Sequence, residues 1–321
     1  MNSALQYFNE QGTARQARIK NNLVLRSKAV GAIRQFFEQS GFIEVDTPIR
    51  LAAPAPESHI DVVESGSQYL QASPELHMKR LLCAGYEKIF QICKCFRQKE
   101  RGPLHIPEFT MLEWYVAGAD YRFLMEQASD MIRFAVTRVF GRNKVRFNGT
   151  EIDLSGKWNK IRVEEAFARF SDMDMQHALE KGLFDEKLAF DIEPALDRKH
   201  PVFLCDYPIE HTPLSRESDS RPWEAQRFEL YLAGIEICNG YTELTDPEIQ
   251  RRRLAEAHAA RKGSNRPVYP MPERFLADMT AMPEAAGCAL GLDRLVMILA
   301  DAQSIDEVVA FVPEDDFSVD L

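Results

Sequence analysis

Two apolar stretches joined by a short charged loop limit the choice of fold. Lys88–Phe96 and Glu108–Tyr115 both read as strands, and residues 97–105 between them carry charges of both signs. This pattern predicts two adjacent antiparallel strands. Helical spacing is found mainly towards the two ends of the chain, and strands do not alternate regularly with helices as they would in a parallel sheet. The sequence therefore predicts an α+β fold in which an antiparallel sheet is flanked by helices.

Further elements are predicted from periodicity, capping residues and prolines. They are a helix that stops at Ser40-Gly41, a strand over 42–48 that ends at Pro48, a helix opened by Ser73-Pro74-Glu75, a helix over 121–140, a strand over Phe228–Ile237, a helix from Asp246 to about Lys262, and a glycine-punctuated turn over 287–291 before a final helix. Residues 141–225 carry less pattern. Because no linker is long or polar enough to separate two domains, we expect one domain over residues 1–321.

Composition and cysteine usage narrow the class of protein. The chain has 49 Asp and Glu against 39 Lys and Arg, a formal charge of -10, which is atypical of a general nucleic-acid binder. Its first residues lack the apolar core of a secretory signal, and no uncharged apolar run is long enough to cross a membrane. The six cysteines form no CxxC pair. We expect a cytoplasmic protein with reduced, structural thiols and no membrane contact; a metal or redox role is the alternative for the thiols.

The first candidate site surrounds the charged loop. Arg97 ends one predicted strand and Phe109 lies on the next. A guanidinium can donate two parallel hydrogen bonds to a phosphate, and an aromatic ring can stack on a base. The simpler interpretation is a hairpin with a charged tip and a buried aromatic.

The second candidate site is the acidic group Glu229, Glu236, Asn239 and Glu243. On one regular strand Glu229 and Glu236 point to opposite faces, so a turn or bulge, for which Ala233-Gly234 is a candidate, is needed to bring them together. Carboxylates held together bind Mg²⁺ or an ammonium group. A solvated acidic edge is the alternative.

The third candidate site is the run from Gly287 to Arg294. Its glycines lead into a helix whose first turn holds Arg294, which fits an anion site at a helix N-terminus. Alone, such a run is also typical of a tight turn.

Taken together and in this order, the three segments resemble the signature motifs of class II aminoacyl-tRNA synthetases. The helix and strand that end at Pro48 resemble the first motif, the segment around Arg97 the second, and Gly291–Arg294 the third. Within that class, Ala72–Arg80, Pro107–Tyr115 and Glu236–Glu243 resemble the lysyl-tRNA synthetase core. The resemblance covers essentially the whole chain, most firmly residues 15–115 and 226–312, and implies a class II synthetase-like catalytic domain.

The resemblance also implies a site for ATP, Mg²⁺ and an amino acid. It implies Arg97 at the α-phosphate, Phe109 against adenine and Arg294 at the γ-phosphate, with the two arginines as catalytic residues. The other implied residues are Glu100, His105, Glu236, Ile237 and Gly291 for ATP; Glu229 and Glu236 for Mg²⁺; Glu75 and Asn239 for the amino and carboxylate ends of the amino acid, with Ser73 and Ala289 in the same pocket; and Glu113, Tyr115 and Glu243 for a distant ammonium.

Several features depart from the lysyl-tRNA synthetase pattern. Those enzymes carry an N-terminal OB-fold that reads the anticodon; here the core helix begins near residue 15, so we expect no OB-fold and no tRNA substrate. Ala289 replaces a motif glycine, and both features resemble the stand-alone paralogues that attach lysine to elongation factor P. Lys99 stands where the motif has glutamate, which makes Glu100 the candidate acid, and Ile106 replaces an asparagine that contacts ATP, so altered nucleotide binding is expected.

The expected activity is that of an ATP-dependent protein-lysine lysyltransferase, an AMP-forming ligase. It would activate lysine or (R)-β-lysine as an adenylate and transfer it to a lysine side chain of elongation factor P. One alternative is an amino-acid ligase with another acceptor, such as a small molecule, a carrier protein or tRNA. Another is a catalytically inactive regulatory paralogue, which Lys99 and Ile106 leave open. Because the first motif usually builds a two-fold interface in this class, we expect a homodimer.

Overall fold

The computed structural model describes residues 2–57 and 60–316. Within these ranges the α-helices are α1 (Asn2–Gln39), α2 (Glu75–Cys83), α3 (Tyr121–Phe140), α4 (Val163–Phe170), α5 (Met175–Glu180), α6 (Phe184–Lys187), α7 (Pro247–Gly263), α8 (Glu273–Asp278), α9 (Leu292–Leu299) and α10 (Pro313–Asp316). The strands are β1 (Ile43–Glu44), β2 (Arg50–Leu51), β3 (Glu64–Ser65), β4 (Gln68–Leu70), β5 (Lys88–Phe96), β6 (Glu108–Ala117), β7 (Lys144–Phe147), β8 (Thr150–Asp153), β9 (Asn159–Arg162), β10 (Val202–Pro208), β11 (Glu224–Leu232), β12 (Ile235–Thr242) and β13 (Ala285–Gly291).

One eight-stranded sheet organises the molecule. Its strand order is β1-β5-β6-β13-β12-β11-β10-β9, antiparallel throughout its centre and parallel only where β1 joins β5 and β9 joins β10. This confirms the predicted α+β class, with the mainly antiparallel sheet flanked by helices. Smaller sheets are formed by β2, β4 and β3 and by the β7–β8 hairpin.

The two faces of the sheet have different roles because side chains alternate along each strand. On β6, Leu112 and Trp114 join the main core beneath α1, α3 and α9, where Phe37 stacks on Phe90 with ring centroids 4.7 Å apart. The β6 residues that alternate with these two, such as Tyr115, point to the opposite face, where α2 packs. That second face carries the polar residues of the candidate site.

Three predicted elements are wrong in detail. Residues 42–48 pair with the sheet only over Ile43–Glu44. The predicted strand over 228–237 is two strands, because Ala233 and Gly234, both with positive φ, form the tight turn between β11 and β12. The predicted turn over 287–291 is the strand β13, which lies between β6 and β12.

Residues 141–225, which carried little pattern, extend the main sheet. They supply β9 and β10, and the helices α4 to α6 cover this end with a second core around Phe167 and Phe184. Those two rings stack with centroids 5.2 Å apart. The less regular spacing follows from short helices and a π-helical turn over Leu188–Ile192.

The structure also describes the cysteines and the helices, for which the sequence predicted free thiols and no membrane-spanning segment. All six cysteines are free, and the Sγ atoms of Cys93 and Cys95 lie 3.9 Å apart on β5. None of the helices in residues 2–57 and 60–316 is both long and apolar enough to span a membrane.

Candidate active site

The candidate site is built on rows of side chains that cross neighbouring strands. In one row Glu113 of β6, Ala289 of β13 and Asn239 of β12 are paired in register. Paired residues point to the same face of a sheet, so the Ala289 methyl lies between the carboxylate and the amide. In the adjacent row Gly287 lies between Tyr115 and Tyr241.

A β-bulge places Glu236 on the same face as this row. The register between β11 and β12 shifts between Leu230 and Tyr231, so that Leu230 pairs with Cys238 but Tyr231 pairs with Glu236. Ile237 is therefore the extra residue. The bulge restores the alternation that an odd spacing would break, and it brings Glu229 and Glu236 to one face.

Two cavities open on this face and share a wall. The first, of about 180 Å³, contains several carboxylates and is called the acidic cavity here. The second, of about 140 Å³, is the Phe109 cavity. The shared wall consists of Arg97, Met111, Asn239 and Ala289.

Most of the predicted residues line one of these cavities. In the acidic cavity they are Ser73, Glu75, Arg97, Glu113, Tyr115, Asn239 and Ala289. In the Phe109 cavity they are Arg97, Glu100, His105, Phe109, Glu236, Ile237, Asn239, Ala289, Gly291 and Arg294. Glu229 and Glu243 line neither cavity and lie beneath the surface of the site.

A buried lysine organises the end of the acidic cavity. The Lys79 Nζ atom lies 2.5 Å from both Glu75 Oε1 and Glu243 Oε2. Tyr241 donates a further hydrogen bond to Glu75 Oε1 at 2.5 Å. Beside them, Glu113 accepts hydrogen bonds from Ser73 and Tyr115 at 2.5 and 3.1 Å. This network holds three carboxylates around one ammonium, so two negative charges stay unmatched when all are ionised.

Burial sets the protonation of this network. It raises the pKa of Glu113 to about 8, with Glu75 adding to the effect and the hydrogen bond from Ser73 opposing it. It also raises the pKa of Glu243 to about 8 against the opposing charge of Lys79. For Lys79, burial acts to lower the pKa, but Glu243 and Glu75 outweigh it and hold the pKa above its usual value. A cationic ligand would restore the ionised carboxylates.

The missing side chain of Gly287 makes room for Glu243 beneath the acidic cavity. A Cβ at this position would overlap both the Tyr115 ring and Glu243 Oε1. That oxygen has no hydrogen-bond partner among the described residues. The absence of a side chain at Gly287 therefore lets an unsatisfied carboxylate oxygen lie buried beneath the acidic cavity, where its charge favours an ammonium group in that cavity.

Arg97 is placed to bind an anion where the two cavities meet. Its backbone N–H donates to Pro107 O at 2.9 Å, and its guanidinium lies over Phe109, with Cζ 5.1 Å from the ring centroid. Its buried Nε has no hydrogen-bond partner among the described residues. The positive φ of Lys99 turns the loop so that Glu100 faces the Phe109 cavity, 3.8 Å from Arg97.

Arg294 forms the other positive group of the Phe109 cavity. It donates to the Glu236 carboxylate at 3.1 Å and approaches His105 Nε2 at 2.7 Å. Burial, and then the positive charge of Arg294, lower the pKa of His105. A neutral His105 accepts this hydrogen bond and leaves the guanidinium charge for a second anion.

A second set of contacts fixes the start of α9 against the site. Asp293 accepts from the Thr110 backbone N–H at 2.7 Å and pairs with Arg26 of α1 at 2.5 Å. Arg26 also donates to the Thr110 hydroxyl at 2.8 Å. These buried contacts join the three predicted motifs and hold Arg294 in position.

Glu236 fits a magnesium ligand better than Glu229 does. Glu236 lines the Phe109 cavity and its side chain is 39% exposed. Both carboxylate oxygens of Glu229 already accept hydrogen bonds from the protein, from Arg227 at 2.5 Å and from Tyr207 and Tyr231 at 2.6 and 2.7 Å. No group of three metal-ligating side chains occurs within the described ranges. A hard cation here would thus take Glu236 and the oxygens of its substrate first.

Three charged residues of the site were not predicted from the sequence. They are Lys79, Arg227 and Glu57. The signal for Lys79 was its spacing of four from Glu75, and the signal for Arg227 was its spacing of two from Glu229 on one strand face. Arg227 Nε donates to Asn239 Oδ1 at 3.0 Å and so orients that amide. Glu57 lies in the Pro/Ala-rich loop, where no periodicity indicates a site.

Comparisons with known proteins agree with this geometry. The family model described as tRNA synthetases class II (D, K and N) matches residues 4–315. A lysine–tRNA ligase of Bordetella bronchiseptica is 36% identical over 317 residues, covering 89% of this chain and 62% of that protein. One from Clostridium perfringens is 34% identical over 322 residues, covering 91% and 64%, and one from Magnetococcus marinus is 36% identical over 313 residues, covering 89% and 62%.

The chain thus spans less than two thirds of the length of these relatives. The family match covers every element of the candidate site, from α2 through β13 to α9. With the sheet order and the two cavities described above, this match shows that the chain belongs to the class II (D, K and N) tRNA synthetase family.

Proposed function

We propose that this protein activates lysine or β-lysine with ATP and transfers it to a lysine side chain of elongation factor P. The observation that carries the activation step is the shared wall between the two cavities. Arg97 lies on that wall, between a cavity with excess carboxylates and a cavity with an aromatic ring and a second arginine. An amino acid with an ammonium group at the end of its side chain would bind on one side of Arg97, and a nucleoside triphosphate would bind on the other.

The chain's own groups account for each part of the activation step. Glu75 and Asn239 hold the amine and carboxylate ends of the amino acid, and Glu113, Tyr115 and Glu243 bind the distant ammonium. Phe109 stacks on adenine, Glu100 and His105 border the nucleotide, and Arg294 holds its terminal phosphate. Arg97 stabilises the charge that develops on the α-phosphate during attack by the amino-acid carboxylate. Mg²⁺, held chiefly by Glu236, would neutralise phosphate charge when bound.

Ala289 and the negative net charge support a ligase that differs from the tRNA ligases. Its methyl lies in the row between Glu113 and Asn239 and contributes to both cavities. This position is glycine in the synthetase motif that the chain resembles, so the space for the amino-acid backbone differs. The formal charge of -10 also agrees with a protein acceptor better than with a polyanion. Transfer to tRNA is the second candidate, because the relatives are named lysine–tRNA ligases.

The test measures activation and transfer separately. Purified elongation factor P is incubated with the protein, ATP-Mg²⁺ and either lysine or β-lysine, and its intact mass is recorded; lysine tRNA is tested in parallel. We expect elongation factor P to gain one lysyl or β-lysyl unit, and the faster amino acid identifies the substrate. Pyrophosphate exchange without this gain would reject elongation factor P as acceptor. No exchange with either amino acid would contradict an active ligase.

A homodimer remains a prediction. The edge of the sheet at β1 presents exposed apolar side chains, among them Ile43 (54% exposed) and Tyr86 (41% exposed). An unpaired strand edge beside such residues suits a two-fold contact.

We also predict that lysine binding releases protons near neutral pH. In the empty cavity the pKa values of Glu113 and Glu243 are raised to about 8, so these carboxyls are partly protonated at neutral pH. A bound ammonium favours their ionised form, so lysine affinity should rise from about pH 6 to about pH 8, a range in which the lysine side chain stays protonated. Calorimetry in phosphate and in Tris measures the protons released. Proton uptake, or an affinity independent of pH, would contradict this assignment.

A further inference from the structure

One carboxylate in the acidic cavity has no role in the activation step. Glu57 lines this cavity together with Arg97 and Glu75. Among the described residues its side chain forms no hydrogen bond or ion pair. The charged groups that face it are Arg97, Glu75, Arg227 and Glu100. Burial raises the pKa of Glu57, while Arg97 opposes that rise.

Hydrogen bonds from two sides hold the described residues around Glu57. Arg261 of α7 is fully buried and donates to the backbone oxygens of Glu57 and Ile60 at 2.7 Å each, and to Asp61 Oδ1 at 2.7 Å. From the other side, the Gln98 backbone N–H donates to Asp61 O at 2.7 Å. The second contact ties the loop directly to the segment after Arg97. The position of Glu57 at the cavity is therefore fixed by the fold rather than by an exposed loop alone.

A carboxylate at this position is unfavourable for both substrates of activation. The amino-acid carboxylate and the ATP phosphates are negative and must both approach Arg97. The amines of the amino acid are already matched by Glu75 at one end and by Glu113 and Glu243 at the other. An additional unpaired carboxylate beside the reacting centre is explained by a third amine, and the acceptor lysine is the amine that must arrive there.

We propose that Glu57 receives the ammonium of the acceptor and takes its proton, so that the neutral amine can attack the adenylate. This inference rests on the proposed ligase function and adds a catalytic residue for its second step. A lysine side chain has a pKa of about 10.4, so it arrives protonated and has no lone pair for attack. A half-buried carboxylate in contact with it is a suitable base.

The transfer step balances with this single base. The ammonium gives one proton to Glu57, from which it passes to solvent. The nitrogen lone pair then forms the C–N bond to the adenylate carbonyl carbon, and the bond from that carbon to the phosphate oxygen breaks with its electron pair on AMP. The second nitrogen proton becomes strongly acidic once the C–N bond has formed, and it passes to water as the amide forms. No oxidant, reductant or further co-reactant is needed.

The test compares Glu57→Gln with the wild-type protein in each half-reaction. We expect pyrophosphate exchange to be retained or faster, because the variant removes a negative charge beside Arg97. We expect single-turnover transfer from the preformed adenylate to elongation factor P to fall by about 10²-fold, as is typical when a general base is lost. Glu64→Gln is the matched control, since Glu64 is an exposed carboxylate of the same segment that lines neither cavity. It should change neither rate.

A second acceptor separates proton transfer from a structural effect. Hydroxylamine is uncharged at neutral pH and needs no base, so Glu57→Gln should cleave the adenylate with hydroxylamine as fast as the wild type does. An equal loss with both acceptors, a raised KM for lysine in exchange, or unchanged transfer to the protein acceptor would each overturn the inference.

The experiment also distinguishes failure of the role assigned to Glu57 from failure of the proposed function. If the wild-type protein activates lysine but does not modify elongation factor P, the acceptor assignment fails. The same comparison is then made with Nα-acetyl-lysine amide as the aliphatic amine. A loss for this amine but not for hydroxylamine would still support Glu57 as the base, and equal rates would reject it.

Discussion

Replacing Arg97 with alanine is expected to lower the rate of ATP-pyrophosphate exchange by about 10³-fold while the protein stays folded. The guanidinium lies on the wall shared by the two cavities, and its buried Nε has no hydrogen-bond partner in the part of the chain that the structure describes. A donor already fixed in place stabilises developing phosphate charge without reorganisation, and removal of such a group costs on the order of 10²–10³ in rate. The readout is exchange at saturating lysine and ATP, with the thermal midpoint measured alongside.

Two comparison variants make this result specific. Arg97→Lys keeps the charge but loses the planar pair of donors, so exchange should recover only in part. Arg101 lies in the same loop but pairs with Asp306 and Glu314 and lines neither cavity. Arg101→Ala should therefore retain exchange within about twofold of the wild type, as expected for a partly exposed ion pair. Exchange at the wild-type rate in Arg97→Ala would refute the role assigned to Arg97.

Replacing Lys79 with methionine is expected to cost about 3–5 kcal/mol of unfolding free energy at about pH 9 and to abolish lysine activation. The side chain is 1% exposed and lies between Glu75 and Glu243. Its loss leaves buried carboxylates without their cation. Urea denaturation of the empty protein measures the change.

The pH dependence of this loss identifies its cause. The folded-state pKa values of Glu113 and Glu243 are raised to about 8, above those of the unfolded chain. The folded state therefore binds more protons than the unfolded state between these values, and the stabilisation from protonation is present at low pH and lost as pH rises towards about 8. Because Lys79 lowers both pKa values, its loss raises them further, so the deficit of Lys79→Met should be largest at high pH and shrink as pH falls towards about 8.

An exposed pair provides the control for this variant. Lys144 is 45% exposed and pairs with Glu151 at 2.8 Å on the β7–β8 hairpin. Lys144→Met should leave the free energy of unfolding nearly unchanged, because solvent screens an exposed ion pair. A loss of similar size in both variants, or a Lys79→Met deficit that does not change with pH, would show that the buried charges do not account for the stability.

Local pattern was sufficient for the parts of the fold that depend on neighbours in the chain. Alternation along Lys88–Phe96 and Glu108–Tyr115 predicted β5 and β6, and Ser73-Pro74-Glu75 predicted the start of α2. Most of the residues that the resemblance to class II synthetases indicated line one of the two cavities. The predictions of β5, β6 and the start of α2 succeeded because strand alternation and helix capping are properties of adjacent residues.

Packing between strands determined features of the site that the local sequence pattern could not predict. A glycine run predicts a turn, yet Gly287 lies inside β13, where its missing side chain makes room for Tyr115 and Glu243. The odd spacing of Glu229 and Glu236 predicts opposite faces, yet the bulge at Ile237 brings them together.

The tertiary structure also determined which charged side chains are in contact. Lys79 was visible only as a charged helical residue, and its burial between Glu75 and Glu243 depends on β12 and β13 lying beside α2. Glu57 reaches the cavity because Arg261, distant in the chain, holds its loop. By itself, the sequence determined the fold class, the strands β5 and β6, several helices, and the family. The protonation, the burial and the pairing of the site's carboxylates were decided by the tertiary structure, because they depend on packing and on distances between residues far apart in the chain.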